Sequence, residues 1–240
     1  MPNFSNTARL ASALLLAMLT GCATGSNPAD PYEPFNRKVA NFNDTLDDAI
    51  VKPVAQGYQT VTPDLVQTGV RNFFNNLADV WSTVNNGLQG KGHDTAESLM
   101  RVVVNTTAGV GGVVDVASKI NLHRHPKDFG HTLGVWGVGP GPYLVLPVLG
   151  PSSVRDTAGL GLDWTADPLT KVKNIPARNE AVVLRLVDKR TSLLGASNLL
   201  EEASLDKYSF TRDAYLQLRR SQVYDGDPPD DDPDMSSSKQ

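Results

Sequence analysis

The chain has a single cysteine, Cys22, among its 240 residues, so an internal disulfide in an oxidising compartment is excluded. It has no excess of positive charge, with 22 Lys and Arg against 26 Asp and Glu. With the acidic end set aside, residues 23–224 are close to neutral, which excludes nucleic-acid binding driven by charge. Nucleotide motifs are missing as well. There is no phosphate-loop lysine motif, and Gly109, Gly111 and Gly112 neither complete a dinucleotide fingerprint nor follow a strand pattern. The Gly-x-Ser-x-Gly elbow is absent; Ser152 or Ser153 with His131 and Asp156 form a triad by residue type alone. No catalysis and no cofactor are expected. Sustained period-two alternation is also missing, so the expected class is all-α.

A spanning apolar helix is lacking too. The uncharged stretch at 133–154, LGVWGVGPGPYLVLPVLGPSSV, is long enough for one, but Pro140, Pro142, Pro147 and Pro151 remove amide donors from its interior. Gly134, Gly137, Gly139 and Gly141 loosen it further. An apolar, irregular backbone of this kind is tolerated at membrane depth only where protein covers it or where it lines a wet cavity.

What is present begins with an export signal. Arg9 precedes the apolar run LASALLLAML at 10–19, which is too short to span a bilayer and fits a secretory signal ending in Leu19-Thr20-Gly21-Cys22. A cysteine after small residues at that point is the bacterial lipoprotein pattern. Cys22 is therefore the expected acylation site, giving a stable multi-chain anchor. Ala23, where some inner-membrane lipoproteins carry Asp, leans towards the outer membrane. The expected organisation is a removed signal at 1–21, a lipidated tether at 22–31, one helical domain at 32–223 and a disordered acidic tail at 224–240.

Within the body, Phe35, Val39, Phe42, Leu46 and Ile50 recur with a helical period that stops before Pro53. Val54 to Val61 predicts a short helix, and Leu65 to Leu88 a long one ending at Gly90-Lys91-Gly92. Asp94 with Glu97 suggests a capping box for the next helix, which runs to Gly109. Further helices are expected up to Ile120, from Asp128, after a Ser152 cap, from Val182 to a stop at Gly195, and from 198 to 223 with a break near Ser209. His123, His125 and His131 with Asp128 could form a metal cluster. Arg124 and Lys127 among them would repel a cation, so loop surface is expected and no metal. Asn36, Asn41, Asn43, Asn72, Asn76 and Asn105 recur beside apolar or aromatic residues. Buried amides that satisfy backbone groups are one reading, and an amphipathic lining for a lipid is the other.

Taken together, these residues resemble the MlaA (VacJ) family of outer-membrane lipoproteins. The resemblance rests on DPYEPFNR at 30–37, NFN at 41–43, KPVA at 52–55, NT with GVGG and DVA across 105–117, and FGHTLG at 129–134. It continues through GVGPGPY at 137–143 to Leu146-Pro147 and Arg155-Asp156. The resemblance implies a single ring-like helical domain in the inner leaflet of a Gram-negative outer membrane, with an amphipathic central channel. Phospholipid would pass through it to a soluble periplasmic carrier of the Mla pathway, preserving lipid asymmetry, and a trimeric porin is the implied partner. Asn41, Phe42, Phe129, Leu133 and Tyr143 are the candidate channel or lipid contacts on this reading. Gly109, Gly111 and Gly112 are the candidate hinge. A porin-bracing envelope scaffold and a phospholipid-degrading enzyme remain the alternatives.

Overall fold

A computed structural model describes residues 27–229; Cys22, the signal and the end of the acidic tail lie outside them. Nine α-helices lie among the described residues. They are α1 (Glu33–Leu46), α2 (Lys52–Val61), α3 (Asp64–Leu88), α4 (Gly92–Thr107), α5 (Val116–Lys119), α6 (Phe129–Val135), α7 (Val154–Ala166), α8 (Ile175–Ala203) and α9 (Lys207–Val223). A π-helical turn (Asp47–Val51) joins α1 to α2 without a break, and a 3-10 turn (Pro168–Lys171) follows α7. The all-α expectation holds apart from one antiparallel hairpin, β1 (Tyr143–Leu146) with β2 (Gly150–Ser153), paired from Tyr143↔Ser153 to Leu146↔Gly150.

That hairpin organises half of the stretch expected to be irregular, and α1 explains how it survives with prolines in it. Asn36 and Asn43 lie two turns apart on one face of α1, against the edge of β1 that β2 leaves open. The Asn36 amide donates to Tyr143 O at 3.0 Å and accepts from Val145 N at 3.0 Å. Asn43 repeats the pattern on Leu146 O at 2.9 Å and Val148 N at 2.7 Å. Two side-chain amides thus stand in for a third strand, pairing two carbonyls and two amides of this segment. Asn72, Asn76 and Asn105 likewise bond across the α3–α4 region, to Val113 O, Thr106 Oγ1 and Asp115 Oδ1. Asn36, Asn43, Asn72 and Asn105 follow the backbone-satisfying reading, Asn105 by accepting from Ala117 N at 2.9 Å, whereas Asn76 bonds a side chain only.

Several local expectations shift. Ser153, not Ser152, caps α7 by accepting from Asp156 N at 3.2 Å, because the helix starts at Val154 and the Ser152 hydroxyl turns to Thr157 Oγ1. Helix α4 starts at Gly92 with no side-chain cap, so Asp94 and Glu97 do not form a capping box. Gly195 does not stop α8; a Cβ there would meet open space, and one interior glycine costs a helix only about 1 kcal/mol. The break before α9 falls at 204–206, where Asp206 caps the new helix, and not at Ser209. Packing already includes Asp30, which lies ahead of residue 32 and is fully buried beneath Asn36 and Tyr208. It continues past 223 because Asp225 pairs with Lys127 at 2.7 Å and with Lys91.

The distribution of polarity is inverted relative to an ordinary soluble domain. Among the described residues, eight hydrophobic side chains are buried against nineteen polar or charged ones, while thirty-six large hydrophobic side chains are exposed. Helix α3 turns Gln67, Asn76, Asp79, Ser82 and Asn86 inward and Leu65, Val66, Val80, Val84 and Leu88 outward. Helix α4 does the same with Ser98, Arg101 and Asn105 against Leu99, Met100 and Val103. None of the described helices is long and apolar enough to cross a membrane.

Candidate functional site

The polar interior is organised around arginines. Arg219 of α9 forks onto two carboxylates at once: Nε and Nη2 donate to Asp156 at 2.9 and 2.8 Å, and Nη1 and Nη2 donate to Asp128 at 2.7 and 2.9 Å. Tyr215, one turn earlier on α9, donates its hydroxyl to Asp156 at 2.7 Å. Burial alone would raise Asp128, but hydrogen bonds from His131 and Arg219 outweigh it and hold the carboxyl far below its usual range. Asp156 is likewise pulled down against its burial, chiefly by Arg219. Burial raises Asp163 in the opposite direction, although it accepts from Trp81 Nε1 at 2.7 Å and from Phe129 N at 2.8 Å. Glycines make room for this network. A Cβ on Gly130 would sit 2.5 Å from Asp156 Oδ1, and one on Gly159 would sit 2.7 Å from Gly130 N, so α6 and α7 cross in near-backbone contact.

Two cavities flank the network. The first, about 480 Å³, has Gly134 and residues 137–142 on one wall and Tyr215, Leu216 and Val223 of α9 on the other; Arg155, Asp156, Arg219 and Arg220 also line it. The second, about 530 Å³, is lined by Leu77, Trp81, Lys127, Asp128, His131, Leu160 and Arg185 among others, and again by Arg219. The Gly/Pro stretch therefore lines a cavity, as its mixture of apolar residues and free backbone groups required.

Arg155 is the chemically exposed group of the first cavity. Its side chain is 5 % exposed, and among the described residues its hydrogen-bond partner is Asp156 Oδ1, reached through Nε at 3.0 Å. The Nη1 and Nη2 edge carries four further N–H donors. Gly134 keeps that edge open, since a Cβ there would lie 2.9 Å from Nη1. With three arginines and one aspartate in its lining, the cavity suits an anion, and Val138, Leu216 and Val223 offer apolar surface beside it.

The residues singled out from sequence are spread more widely. Asn41 is exposed on α1, and Phe42 beside it is 55 % exposed. Phe129 stacks edge-to-face on Trp136 at 6.0 Å, and Leu133 accepts from Val138 N through its carbonyl. Tyr143 is buried, with its ring against Tyr208 and Tyr215. None of these five lines either cavity. Gly109 packs where a Cβ would meet Val114 O at 2.2 Å, while Gly111 and Gly112 adopt φ of +69° and +94°, so the three build a tight turn between α4 and α5. Ser152, Ser153 and His131 do not assemble. The serine hydroxyls bond within α7 and β2, and His131 turns to Asp128, Arg219 and Gln222. Nothing in the sequence marks Arg219 and Tyr215 out from other helical residues.

Comparison with known proteins places this geometry among relatives. The family model described as MlaA lipoprotein matches residues 28–222. The intermembrane phospholipid transport system lipoprotein MlaA of Escherichia coli is 37% identical over 215 residues, covering 86% of this chain and 85% of that protein. An uncharacterized protein of Rickettsia bellii is also 37% identical, over 195 residues, covering 81% of this chain and 76% of its own. A solved chain from work on the structural basis for maintenance of bacterial outer membrane lipid asymmetry superposes with a TM-score of 0.71 at 35% identity. It covers 81% of this chain and 98% of its own.

Proposed function

Since the chain belongs to the MlaA lipoprotein family, we propose that it acts in intermembrane phospholipid transport, drawing stray phospholipid from the outer leaflet of the outer membrane and passing it inward. The observation that carries this reading is the inverted polarity. A domain with apolar residues outside and amides, carboxylates and arginines inside matches a lipid-embedded body with a polar route through it. Anchored through acylated Cys22, the helical domain would sit ring-like in the inner leaflet, with the exposed stripes of α3 and α4 against acyl chains. A soluble periplasmic lipid carrier would receive the phospholipid, and a trimeric porin would hold the domain at its depth. The exposed Phe42 suits such an embedded surface, and the Gly109–Gly111–Gly112 turn suits a pivot between α4 and α5. The edge-to-face contact of Phe129 with Trp136 and the Leu133 carbonyl bond to Val138 N suit a movable edge of the route.

No bond is broken in moving a lipid, so the chain needs only to desolvate, hold and release. Arg155 is the group we assign to the headgroup phosphate, through its open Nη edge, while acyl chains follow Val138, Leu216 and Val223. Asp156 already engages Nε, so the phosphate meets one edge of a partly neutralised guanidinium. That weakens the hold, as a site that must release its cargo requires. Arg155→Met keeps the length and removes the charge. In cells whose own gene is deleted, the variant at wild-type protein level should leave outer-leaflet phospholipid, read with a membrane-impermeant amine label, close to the deletion level. A wild-type surface level in that strain would refute the assignment of Arg155.

A further inference from the structure

Beyond lipid handling, the start of α4 and the loop from 121 to 128 converge on a second cluster of chemistry. His93 and Glu97 share a face of α4, one turn apart, with Asp94 beside them. In the loop, side chains alternate. Arg124 turns inward and forks onto Asp79 through Nε and Nη2 at 2.9 and 2.7 Å, which sends His123 and His125 the other way, towards α4. The fully buried Asn86 fixes the loop by donating to His125 O at 3.0 Å. The expected grouping of His123, His125 and His131 is thereby divided: His131 belongs to the Arg219 network, and the other two face Asp94 and Glu97. Arg124, whose charge argued against a cation, is neutralised elsewhere.

The distances in the cluster are those of a ligand set. His93 Nδ1 lies 3.5 Å from Asp94 Oδ1, and His125 Nδ1 lies 3.6 Å from Asp94 Oδ2. One donor atom from each of His93, Asp94 and His125 falls within 4.8 Å of the others. Metal bonds of about 2.0–2.1 Å in a tetrahedron place neighbouring ligand atoms roughly 3.3–3.5 Å apart, so small side-chain rotations complete the geometry. His125 presents Nδ1 to this point while its Nε2 meets Glu97 Oε2 at 2.6 Å, the arrangement in which a carboxylate orients a ligating imidazole through its far nitrogen.

We propose that His93, Asp94 and His125 bind a divalent transition-metal ion of the zinc class, with Glu97 holding His125 and solvent filling the fourth position. Two imidazoles and one carboxylate favour zinc over the hard ions magnesium and calcium. The ion would clamp the loop to α4 and so steady Lys127 and Asp128, which line the second cavity. The site is independent of the transport reading, since none of its ligands lines either cavity.

The test is calorimetric titration of the full-length lipoprotein in detergent with zinc, and in parallel with magnesium. Saturable binding of one zinc per chain is expected, with a melting temperature about 5 °C higher under zinc excess and no magnesium response. His93 is largely exposed, so His93→Ala should keep the zinc-free melting temperature yet lose at least tenfold in zinc affinity. Glu97→Gln should lose on the order of tenfold. Absence of stoichiometric zinc binding, equal binding in His93→Ala and His125→Ala, or an equal response to magnesium would each overturn the proposal.

Discussion

Replacing Arg219 with methionine is expected to cost about 3–5 kcal/mol and to lower the melting temperature in detergent by roughly 10 °C. The loss comes less from missing hydrogen bonds than from what stays behind: the largely buried Asp156, left with Arg155 and Tyr215, and the half-exposed Asp128, left with His131. Arg219→Lys should rescue little, because an ammonium cannot fork onto both carboxylates. Both carboxyls are held below their ordinary range in the folded chain. Their contribution is therefore complete above the unfolded value of about 4 and is lost as pH falls from there through the depressed folded values. Wild type should weaken progressively below about pH 4, and the gap between wild type and Arg219→Met should narrow over the same window. Thermal melts by circular dichroism across that range measure both. A variant melting within a degree or two of wild type at neutral pH would show that α9 is not tied down through this residue.

Arg101→Met should cost a similar 3–5 kcal/mol, for a related reason in a different place. Arg101 is 2 % exposed, and each of its guanidinium nitrogens is engaged. Nε reaches Asp79 at 3.3 Å, Nη1 reaches Ser118 Oγ at 3.0 Å and Leu122 O at 2.6 Å, and Nη2 reaches both oxygens of Asp115 at 3.1 Å. Asp79 keeps Arg124, but Asp115 loses its cation. Burial would raise Asp115, yet hydrogen bonds from Ser118, Arg101 and Asn105 bring it down to about 2. Arg101→Met should let it rise. Adding Asp115→Asn to Arg101→Met should restore about 1–3 kcal/mol, the coupling expected of a contacting pair. Limited proteolysis between α4 and α6 is a second readout, with faster cleavage in Arg101→Met than in the double variant. Equal cleavage and equal melting temperatures would show that the Arg101–Asp115 contact contributes nothing.

Most of the helices were legible because their apolar residues recur with a period near 3.6, as from Leu65 to Leu88 in α3. Which way the stripe faces was not, since Val80, Val84 and Leu88 repeat identically whether they meet a core or acyl chains. The sign lies in the opposite stripe, where Gln67, Asn76, Asp79, Ser82 and Asn86 are buried in place of a solvated face. The hairpin escaped notice because its strands are four residues long and contain Pro151, and because its second edge is completed by Asn36 and Asn43 from more than a hundred residues away. The asparagines themselves stood out; their partners could not. Arg219 was illegible for the same reason, its carboxylates lying 63 and 91 residues distant. Arg155-Asp156 was visible only as the end of the family motif, and the cavity that gives Arg155 its open edge exists only once 134–142 is laid against α9.

The central claim is that the polar interior of this inverted domain accepts phospholipid. The most direct measurement is mass spectrometry of lipids that co-purify with the body in mild detergent, expressed without its signal and with Cys22→Ala so that no acyl anchor contributes. The account predicts intact two-chain phospholipid at a near-fixed ratio to protein, reduced on the order of tenfold by Arg155→Met, as loss of a charge-assisted contact implies. No specific lipid at any detergent level would contradict it, and would leave the outward apolar stripes as a surface for a porin or the membrane alone.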